Sequence, residues 1–458
     1  MNKDIKLFIE NNFDYLVKLY NRYIKFCLRR STPIEYYGSP YMNLIGYPSN
    51  DFINFCILLY NKRNKTTHKM SIEKQHIIHN LFSYVKLIFL FLFGFIFFEK
   101  KLKPNSVIIH GFHSDSNFTF SPYKTIKSPP LEYFEDKNIY HDINLSFISL
   151  KSLNRYRKNN IISSLRFLSL RVFIKLHFIA AIIYFQKNKI KTININFSYV
   201  TIFYNLIKGY ATAKLIDNME GNSVYLHMWE NRGHQLITDY LVKHTKKLFF
   251  LDLGITFRLA PEYTMFNYQK HSFKSKILFM SQHNFDLTKS NFHSLKYDFF
   301  KNYRIDCKQE NIHVHNSILV VSPLSEDVTD MLYKLVLDNQ DKKIKIKIHP
   351  YLNKNKYDKK LLEDKNLDEL FNDYGIVIYA GVTTASLELF FQGRRVYKFE
   401  NDYFLNIDPL IDNNCVKSIN NLNDILETHT TIIDEQFKKY MFGCDNKSLQ
   451  QIVKEDMR

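Results

Sequence analysis

The chain has 458 residues, of which 45% are apolar, 16% aromatic and 24% charged, so it is long enough for two compact domains and an accessory segment. Its 63 Lys and Arg exceed its 45 Asp and Glu, which gives a net charge of +18. This composition excludes a disordered chain. The basic excess is typical of chains rich in Lys, Asn, Ile, Phe and Tyr, and it also favours attraction to anionic lipid or to an anionic substrate.

Glycine and cysteine exclude several kinds of site. The twelve glycines form no GxG pair and none precedes Lys-Ser or Lys-Thr, so a dinucleotide-binding fingerprint and a Walker A loop are both missing. The five cysteines show no CxxC spacing, which fits a reducing compartment and predicts neither a zinc site nor a disulfide framework. Because Asp-x-Asp and HExxH patterns are also missing, we expect no metal and no bound cofactor.

Residues 1–103 form a basic segment that we predict to be helical. Its apolar side chains recur at steps of three and four residues, the period of one helix face: Ile9, Phe13, Leu16, Tyr20 and Ile24. Ser31-Thr32-Pro33 and Gly46-Tyr47-Pro48 interrupt the pattern. No charged-then-apolar leader begins the sequence, so we do not expect secretion.

The most apolar stretch of this segment lies within residues 81–98. Residues 87–98, LIFLFLFGFIFF, are uncharged but shorter than the roughly 20 residues that a membrane-spanning helix needs. Residues 81–85 lengthen the stretch only if Lys86 is tolerated inside it. Three placements follow: a buried helix, a helix inserted shallowly into a membrane surface beside flanking lysines, or a spanning helix.

From Asn105 onward, short apolar runs alternate with helix-length segments. The first series has predicted strands at 106–110, 191–196, 224–228 and 248–251, with helices at 164–185 and 233–246. A second series follows a polar break at 308–316, with strands at 318–322, 344–348, 375–379 and 395–399 and helices at 325–338 and 384–392. Such alternation predicts parallel sheets with crossover helices. We therefore expect two α/β domains facing a cleft, at 104–307 and 308–430, and a C-terminal helix at 431–458 that packs back on the first.

The second series carries the most informative residues for function. His349-Pro350 follows the strand at 344–348, and the carboxyl ends of parallel strands are where ligands bind in open α/β sheets. A histidine in that place can donate a hydrogen bond to a phosphate oxygen or protonate a leaving group. A histidine that simply ends a strand is the structural alternative.

A hydroxyl-rich turn follows the strand at 375–379 and leads directly into a helix. Gly381 gives the backbone freedom to turn, and Glu388 lies one step along the helix. The exposed N–H groups and positive dipole end of such a helix attract anions without any lysine. Glu388 can accept hydrogen bonds from ribose hydroxyls. The hydroxyl residues also have a purely structural interpretation as helix caps; they are Thr383, Thr384 and Ser386.

KIHP (347–350) followed by GVTTASLELFFQGRRVYKF (381–399) resembles the nucleotide-binding half of GT-B glycosyltransferases. More narrowly, it is similar to bacterial surface carbohydrate biosynthesis proteins and to transferases that use CMP-activated sugars such as Kdo or sialic acid. The resemblance implies two Rossmann-like domains, with His349 and the Ser/Thr-rich turn holding the nucleotide phosphate and Glu388 holding the ribose. The loop at 322–325 resembles the first strand-loop of that half, so Ser322 and Ser325 become further candidate nucleotide contacts.

The same resemblance implies a glycosyltransferase of surface polysaccharide or glycan biosynthesis, and because metal-binding patterns are missing we expect its reaction to be metal-independent. Its partners would be a nucleotide-sugar donor, used as a substrate, and a glycan or lipid-linked acceptor. We expect a cytoplasmic protein whose basic N-terminal segment rests on the anionic inner face of the membrane.

Two carboxylates in the first series are candidate catalytic bases. Asp115 lies in HGFHSDSNF (110–118), where His110 or His113 could assist it. Glu230 lies in VYLHMWENRG (224–233), just after a predicted strand. Each has a structural alternative, because Asp is common in turns and Glu230 could simply pair with a nearby base.

Three other functions remain as alternatives. A CDP-glycerol-type glycerophosphotransferase shares a similar HP pair and Ser-rich turn in its nucleotide half. A non-catalytic scaffold of a polysaccharide assembly complex would keep the fold without activity. A basic nucleic-acid-binding protein would fit the charge of +18, but the sequence has no RNP-like strand, no recognition-helix motif and no arginine stripe. We therefore expect no nucleic acid partner.

Overall fold

The computed structural model describes the chain in ranges, and all structural statements below refer to them. These are residues 3–29, 49–68, 85, 88, 102–113, 120–121, 139–143, 161–186, 199–228, 233–252, 271–289, 292–301, 316–323, 325–349, 352–365, 370, 373–381, 384–400, 409–425, 434–443 and 446–456.

Three helices form the described part of the N-terminal segment: α1 (Lys3–Asn11), α2 (Phe13–Arg29) and α3 (Ser49–Asn64). The predicted apolar face is buried at Ile9, Phe13, Leu16 and Tyr20. The Phe52 ring of α3 packs edge-on against the rings of Phe13 and Tyr20, with centroid distances of 5.8 and 5.5 Å. The helical prediction is therefore confirmed here, with a break between α1 and α2 at Asn12.

The interruptions at 31–33 and 46–48 lie outside the described residues, as does the apolar stretch at 81–98 apart from two single positions. Across the described ranges, no helix combines the length and the apolar content that crossing a bilayer requires.

The first sheet has eight strands, of which seven form a parallel path in the order β4-β3-β1-β5-β6-β7-β8. β2 pairs antiparallel with β1 at its carboxyl end. When these seven strands are numbered by their order in the chain, their order across the sheet is 3-2-1-4-5-6-7, which is the doubly wound arrangement. In that arrangement the order reverses between β1 and β5, and this reversal is the topological switch point where ligands bind. The strands are β1 (Val107–His113), β2 (Phe120–Ser121), β3 (Ile139–Ile143), β4 (Ile161–Ile162), β5 (Val224–Met228), β6 (Leu248–Asp252), β7 (His271–Phe279) and β8 (Phe292–Phe299).

Four helices connect these strands within the described residues. They are α4 (Leu170–Gln186), α5 (Tyr199–Asp217), α6 (Gly233–Leu241) and α7 (Gln282–Thr288). The helix predicted at 164–185 is split, because Ser164–Phe167 is a 3-10 turn that the extended Leu168 separates from α4. The helix predicted at 233–246 ends earlier, at Leu241. The carboxylate of Asp217 accepts the backbone N–H groups of Lys243 and His244, which draws the chain out of the helix.

The second sheet has five parallel strands in the order β10-β9-β11-β12-β13. In chain order this is 2-1-3-4-5, the other common doubly wound arrangement, with its switch point between β9 and β11. The four predicted strands are confirmed and β13 is additional. The elements are β9 (Ile318–Val321), α8 (Glu326–Leu337), β10 (Ile344–Lys347), β11 (Ile376–Tyr379), α9 (Thr384–Phe391), β12 (Arg395–Phe399), α10 (Pro409–Asp412) and β13 (Lys417–Ile419).

Two C-terminal helices, α11 (Glu435–Phe442) and α12 (Leu449–Asp456), contact elements of both sheets. The Tyr440 hydroxyl donates to the Asp286 carboxylate of α7 at 3.2 Å, and the Phe442 ring packs on Phe391 of α9 at 4.8 Å. Lys276 of β7 forms an ion pair of 3.0 Å with Asp456. One apolar core contains buried residues of β1, β5, β6, β9, β11 and both helices, so this segment joins the two sheets.

Candidate functional site

Three residues singled out from the sequence follow adjacent strands of the second sheet. The register places Val321 of β9 beside Lys347 of β10 and Tyr379 of β11. Ser322 comes directly after β9, and His349 and Gly381 each come two residues after the ends of β10 and β11, so all three lie at one edge of the sheet. We call these three strand ends the second-sheet edge. It includes the switch point between β9 and β11, and ligands of open α/β sheets generally bind at such a point.

Ser322 fixes the loop that carries His349. Its side chain is 2% exposed, and its hydroxyl oxygen accepts the backbone N–H of His349 at 2.9 Å. The backbone N–H of Ser322 in turn donates to the Lys347 carbonyl at 3.1 Å. The two loops are thus tied together immediately beyond their strands. This observed role is to position the His349 loop, whereas the sequence suggested a nucleotide contact.

The His349 ring is half-buried, and this burial lowers its pKa below the ordinary value. The ring is therefore neutral near pH 7, with one nitrogen that donates a hydrogen bond and one that accepts. An anion placed against the ring would favour the protonated form and offset the cost of burial. Such a histidine can both bind a phosphate and move a proton.

Gly381 turns the chain from β11 toward α9 in a left-handed conformation, with φ of +72°. A residue with a side chain would pay about 1–2 kcal/mol there. Helix α9 then begins at Thr384, so its amino end, where the helix dipole is positive, lies next in the chain after the edge. Ser386 is buried within its first turn and Glu388 is half-exposed one step further.

The other predicted residues have separate outcomes. Ser325 occupies the N-cap of α8, half-exposed, and its side chain makes no capping hydrogen bond. Thr383 lies outside the described residues, as does the side chain of Thr384. The two predicted carboxylates, Asp115 and Glu230, also lie outside them. In the sequence each stands two residues beyond a strand of the first sheet, because β1 ends at His113 and β5 ends at Met228.

A cluster of three histidines lies at the switch point of the first sheet, and sequence reasoning did not assemble it. His110 of β1 is the register partner of His227 of β5, and their ring centroids are 4.2 Å apart. His234, on α6, places its ring 5.3 Å from that of His227. The three residues are 8%, 1% and 5% exposed. One nitrogen from each ring can be chosen so that all three lie within 4.8 Å of one another.

Asp142 supports this cluster from the neighbouring strand β3. It is the register partner of His110, and its carboxylate lies 3.6 Å from His110 Nδ1. The same carboxylate accepts the Tyr225 hydroxyl at 2.6 Å and pairs with the ammonium group of Lys208 at 3.3 Å. Burial alone would raise the pKa of Asp142, but Lys208, His110 and Tyr225 together hold it well below its usual range. Asp142 is therefore a fully buried, charged carboxylate.

The other two histidines also have polar partners at Nδ1. His227 Nδ1 lies 3.3 Å from the side-chain amide nitrogen of Gln235, and His234 Nδ1 lies 3.2 Å from the amide oxygen of Asn205. Gln235 lies on α6 and Asn205 on α5, so both helices that cover this face of the sheet orient the rings. Imidazole is a common ligand for zinc and related ions, so these three rings are the described residues that could hold a metal.

Two comparisons with known proteins gave no match: no protein-family model fits the chain, and no curated protein is significantly similar to it. The two switch points are therefore the basis for a functional argument.

Proposed function

We propose that the protein is a glycosyltransferase of GT-B-like architecture that binds a nucleotide-sugar donor, with CMP as the nucleotide, at the second-sheet edge. The observation that supports this most is that His349, Ser322 and Gly381 follow neighbouring strands at the switch point of a doubly wound sheet. The resemblance of KIHP and GVTTASLELFFQGRRVYKF to CMP-sugar transferases supplies the donor class. The two sheets would face each other across the cleft in which the sugar is transferred.

Donor binding would use the amino end of α9 and the His349 ring. The donor phosphate would lie at this amino end, where the helix dipole favours negative charge. His349 would donate a hydrogen bond to the same phosphate. Glu388, half-exposed on α9, would accept hydrogen bonds from the ribose hydroxyls.

The transfer step would be an inverting displacement at the anomeric carbon. The bond from that carbon to the CMP phosphate oxygen breaks while the bond to the acceptor oxygen forms, and CMP leaves with the electron pair. The positive end of the α9 dipole and His349 would stabilise the charge that develops on the leaving phosphate. A carboxylate takes the acceptor proton, and Asp115 and Glu230 remain the candidates because both follow strands of the first sheet.

The acceptor would be a glycan or a lipid-linked sugar at the inner face of the membrane. The basic N-terminal segment at 1–103 would hold the protein against anionic lipid, with each Lys or Arg near the surface contributing about 1 kcal/mol. Because this attraction is electrostatic, high salt should release the protein from vesicles that contain phosphatidylserine. Sedimentation with those vesicles that is unchanged by salt would contradict the electrostatic part of the proposal.

A thermal-shift panel of CMP, UDP, CDP-glycerol and CMP-sialic acid tests the donor class. We expect the cytidine monophosphate compounds to raise the melting temperature, because a ligand at a hundred times its Kd stabilises the native state by about 2.7 kcal/mol. His349→Ala should abolish the shift. His244→Ala is the matched control, since this exposed histidine precedes the amino end of β6 in the other sheet. No shift with any cytidine compound would contradict the proposal, and a shift with CDP-glycerol alone would favour a glycerophosphotransferase.

A further inference from the structure

We propose that His110, His227 and His234 bind one divalent transition-metal ion of the imidazole-preferring class, with Zn²⁺ as the expected ion. This site would lie at the switch point between β1 and β5, in the first sheet. The inference does not rest on the proposed transferase, which uses the second sheet. It does replace the expectation from the sequence that the protein holds no metal.

The distances require only a small adjustment of the rings. A zinc ion lies 2.0–2.1 Å from each histidine nitrogen, so tetrahedral ligation places two such nitrogens about 3.4 Å apart. The three nitrogens lie within 4.8 Å of one another. Small rotations of the rings, each moving a nitrogen by about 1 Å, would therefore bring all three into contact with one ion. The rings come from two strands and one helix, so the site needs the folded sheet.

Two of the three rings have a polar partner at hydrogen-bond distance from Nδ1, and the third faces a carboxylate at 3.6 Å. Metal-binding histidines usually have their second nitrogen held by a carboxylate, an amide or a carbonyl, which fixes the ring orientation. Here Nδ1 of His110 faces Asp142, and Nδ1 of His234 faces the amide oxygen of Asn205. Nδ1 of His227 faces the Gln235 amide, whose oxygen can accept from the ring when the amide is turned over. With Nδ1 held in this way, Nε2 is the nitrogen that each ring would offer to the metal.

Three histidines supply three of the four ligands of a tetrahedral zinc ion, so a fourth position would be open to an oxygen ligand. Asp142 and Lys208 form a buried ion pair beside His110. A bound dication adds two positive charges, which an anionic oxygen ligand would reduce. Three histidines with one open position are the arrangement in which zinc activates water or polarises a substrate oxygen. The ligand class would be water, hydroxide or a small oxyanion such as phosphate.

The test is metal stoichiometry and affinity, measured on the full-length chain after removal of any affinity tag and treatment with a chelator. Titration with Zn²⁺ should give one tight site per chain and a rise in melting temperature. Titration with Co²⁺ should give the visible absorption of a four-coordinate ion. His110→Asn, His227→Asn and His234→Asn should each lose most of the Zn²⁺ affinity, by about 100-fold or more. These are the results that the proposal predicts.

His283→Asn is the matched control, because His283 is also 8% exposed but lies on α7 beside Tyr440. It removes a buried imidazole of the same exposure and should keep the Zn²⁺ site intact. Wild-type protein without a tight site, or three variants that bind Zn²⁺ as wild type does, would overturn the proposal. If the variants do not fold, X-ray absorption of the Zn²⁺-loaded wild type decides. Three imidazole nitrogens around zinc support the site, and fewer than three refute it.

Discussion

Gly209→Ala tests the close helix contact that places His234 in the histidine cluster. Gly209 lies in α5, and a Cβ at this position would come 2.6 Å from Ile237 Cγ2, 2.7 Å from Ile237 Cβ and 2.9 Å from the His234 carbonyl oxygen. Carbon atoms pack at about 3.5 Å or more, so α6 would have to retreat by about 0.6–0.9 Å. Two of these atoms are fixed to the backbone, so a rotation of the Ile237 side chain cannot relieve the contact.

The expected loss of stability follows from two opposing effects. Overpacking of this kind costs about 1–3 kcal/mol. Alanine is better than glycine inside a helix by about 1 kcal/mol, which offsets part of that cost. Because the contact involves backbone atoms, we expect the upper half of the overpacking range. After the gain from alanine is subtracted, the free energy of unfolding should fall by about 1–2 kcal/mol. The second consequence is a displaced His234 ring, which should weaken Zn²⁺ binding by about tenfold.

Urea unfolding and Zn²⁺ titration measure these two effects on the same variant. Lys214→Ala is the control in the same helix, since Lys214 is exposed and its replacement creates no contact with α6. A Gly209→Ala protein that is about 1 kcal/mol more stable than wild type would refute the reasoning, because only the helix preference of alanine would then be acting.

Three further predictions concern the C-terminal half. Gly443→Ala should lower the free energy of unfolding by about 2 kcal/mol in urea titration, because the residue is left-handed with φ of +57° and its Cβ would meet the Met280 carbonyl oxygen at 2.8 Å. A change below about 0.5 kcal/mol would show that this contact is not made. Ser322→Ala should lower the free energy of unfolding by about 1–2 kcal/mol and weaken CMP binding, since the His349 N–H loses its acceptor. Unchanged CMP affinity would show that Ser322 does not position the His349 loop for binding. His349→Asn should reduce the pH dependence of stability. Because the pKa of His349 is lowered in the folded protein, the unfolded chain binds more protons, and wild-type stability falls as pH drops through the ordinary histidine value of about 6.5. Equal slopes of the free energy of unfolding against pH in wild type and variant, between about pH 7.5 and pH 5.5, would contradict this.

Several parallel strands were predictable because they are short runs of β-branched and aromatic residues between polar segments. The strand predicted at 224–228 coincides with β5, and the one at 395–399 with β12. Strand β3, IYHDI, was not predicted, and it places the charged side chain of Asp142 in the interior. That carboxylate is tolerated in the interior because Lys208 and Tyr225 reach it from α5 and β5. Such long-range pairs leave no periodic signal in the chain.

The two sites differ in how far sequence could define them. The second-sheet edge could be predicted because His349 stands directly after the strand predicted at 344–348, and Gly381 and α9 follow the strand predicted at 375–379. The histidine cluster was not assembled, because 117 residues separate His110 from His227, and no spacing rule joins them. The available signal was a histidine at the end of each of two predicted strands, at 106–110 and 224–228. Only the strand order, which places β1 beside β5, makes these two histidines neighbours.

Isothermal titration calorimetry of CMP tests the central claim most directly, because it reports occupancy of the second-sheet edge without requiring the sugar or the acceptor to be known. The account predicts one CMP per chain for wild type and for His244→Ala, with affinity lost by tenfold or more in His349→Ala. Undetectable heat with wild type, or CMP binding that His349→Ala leaves unchanged, would contradict it.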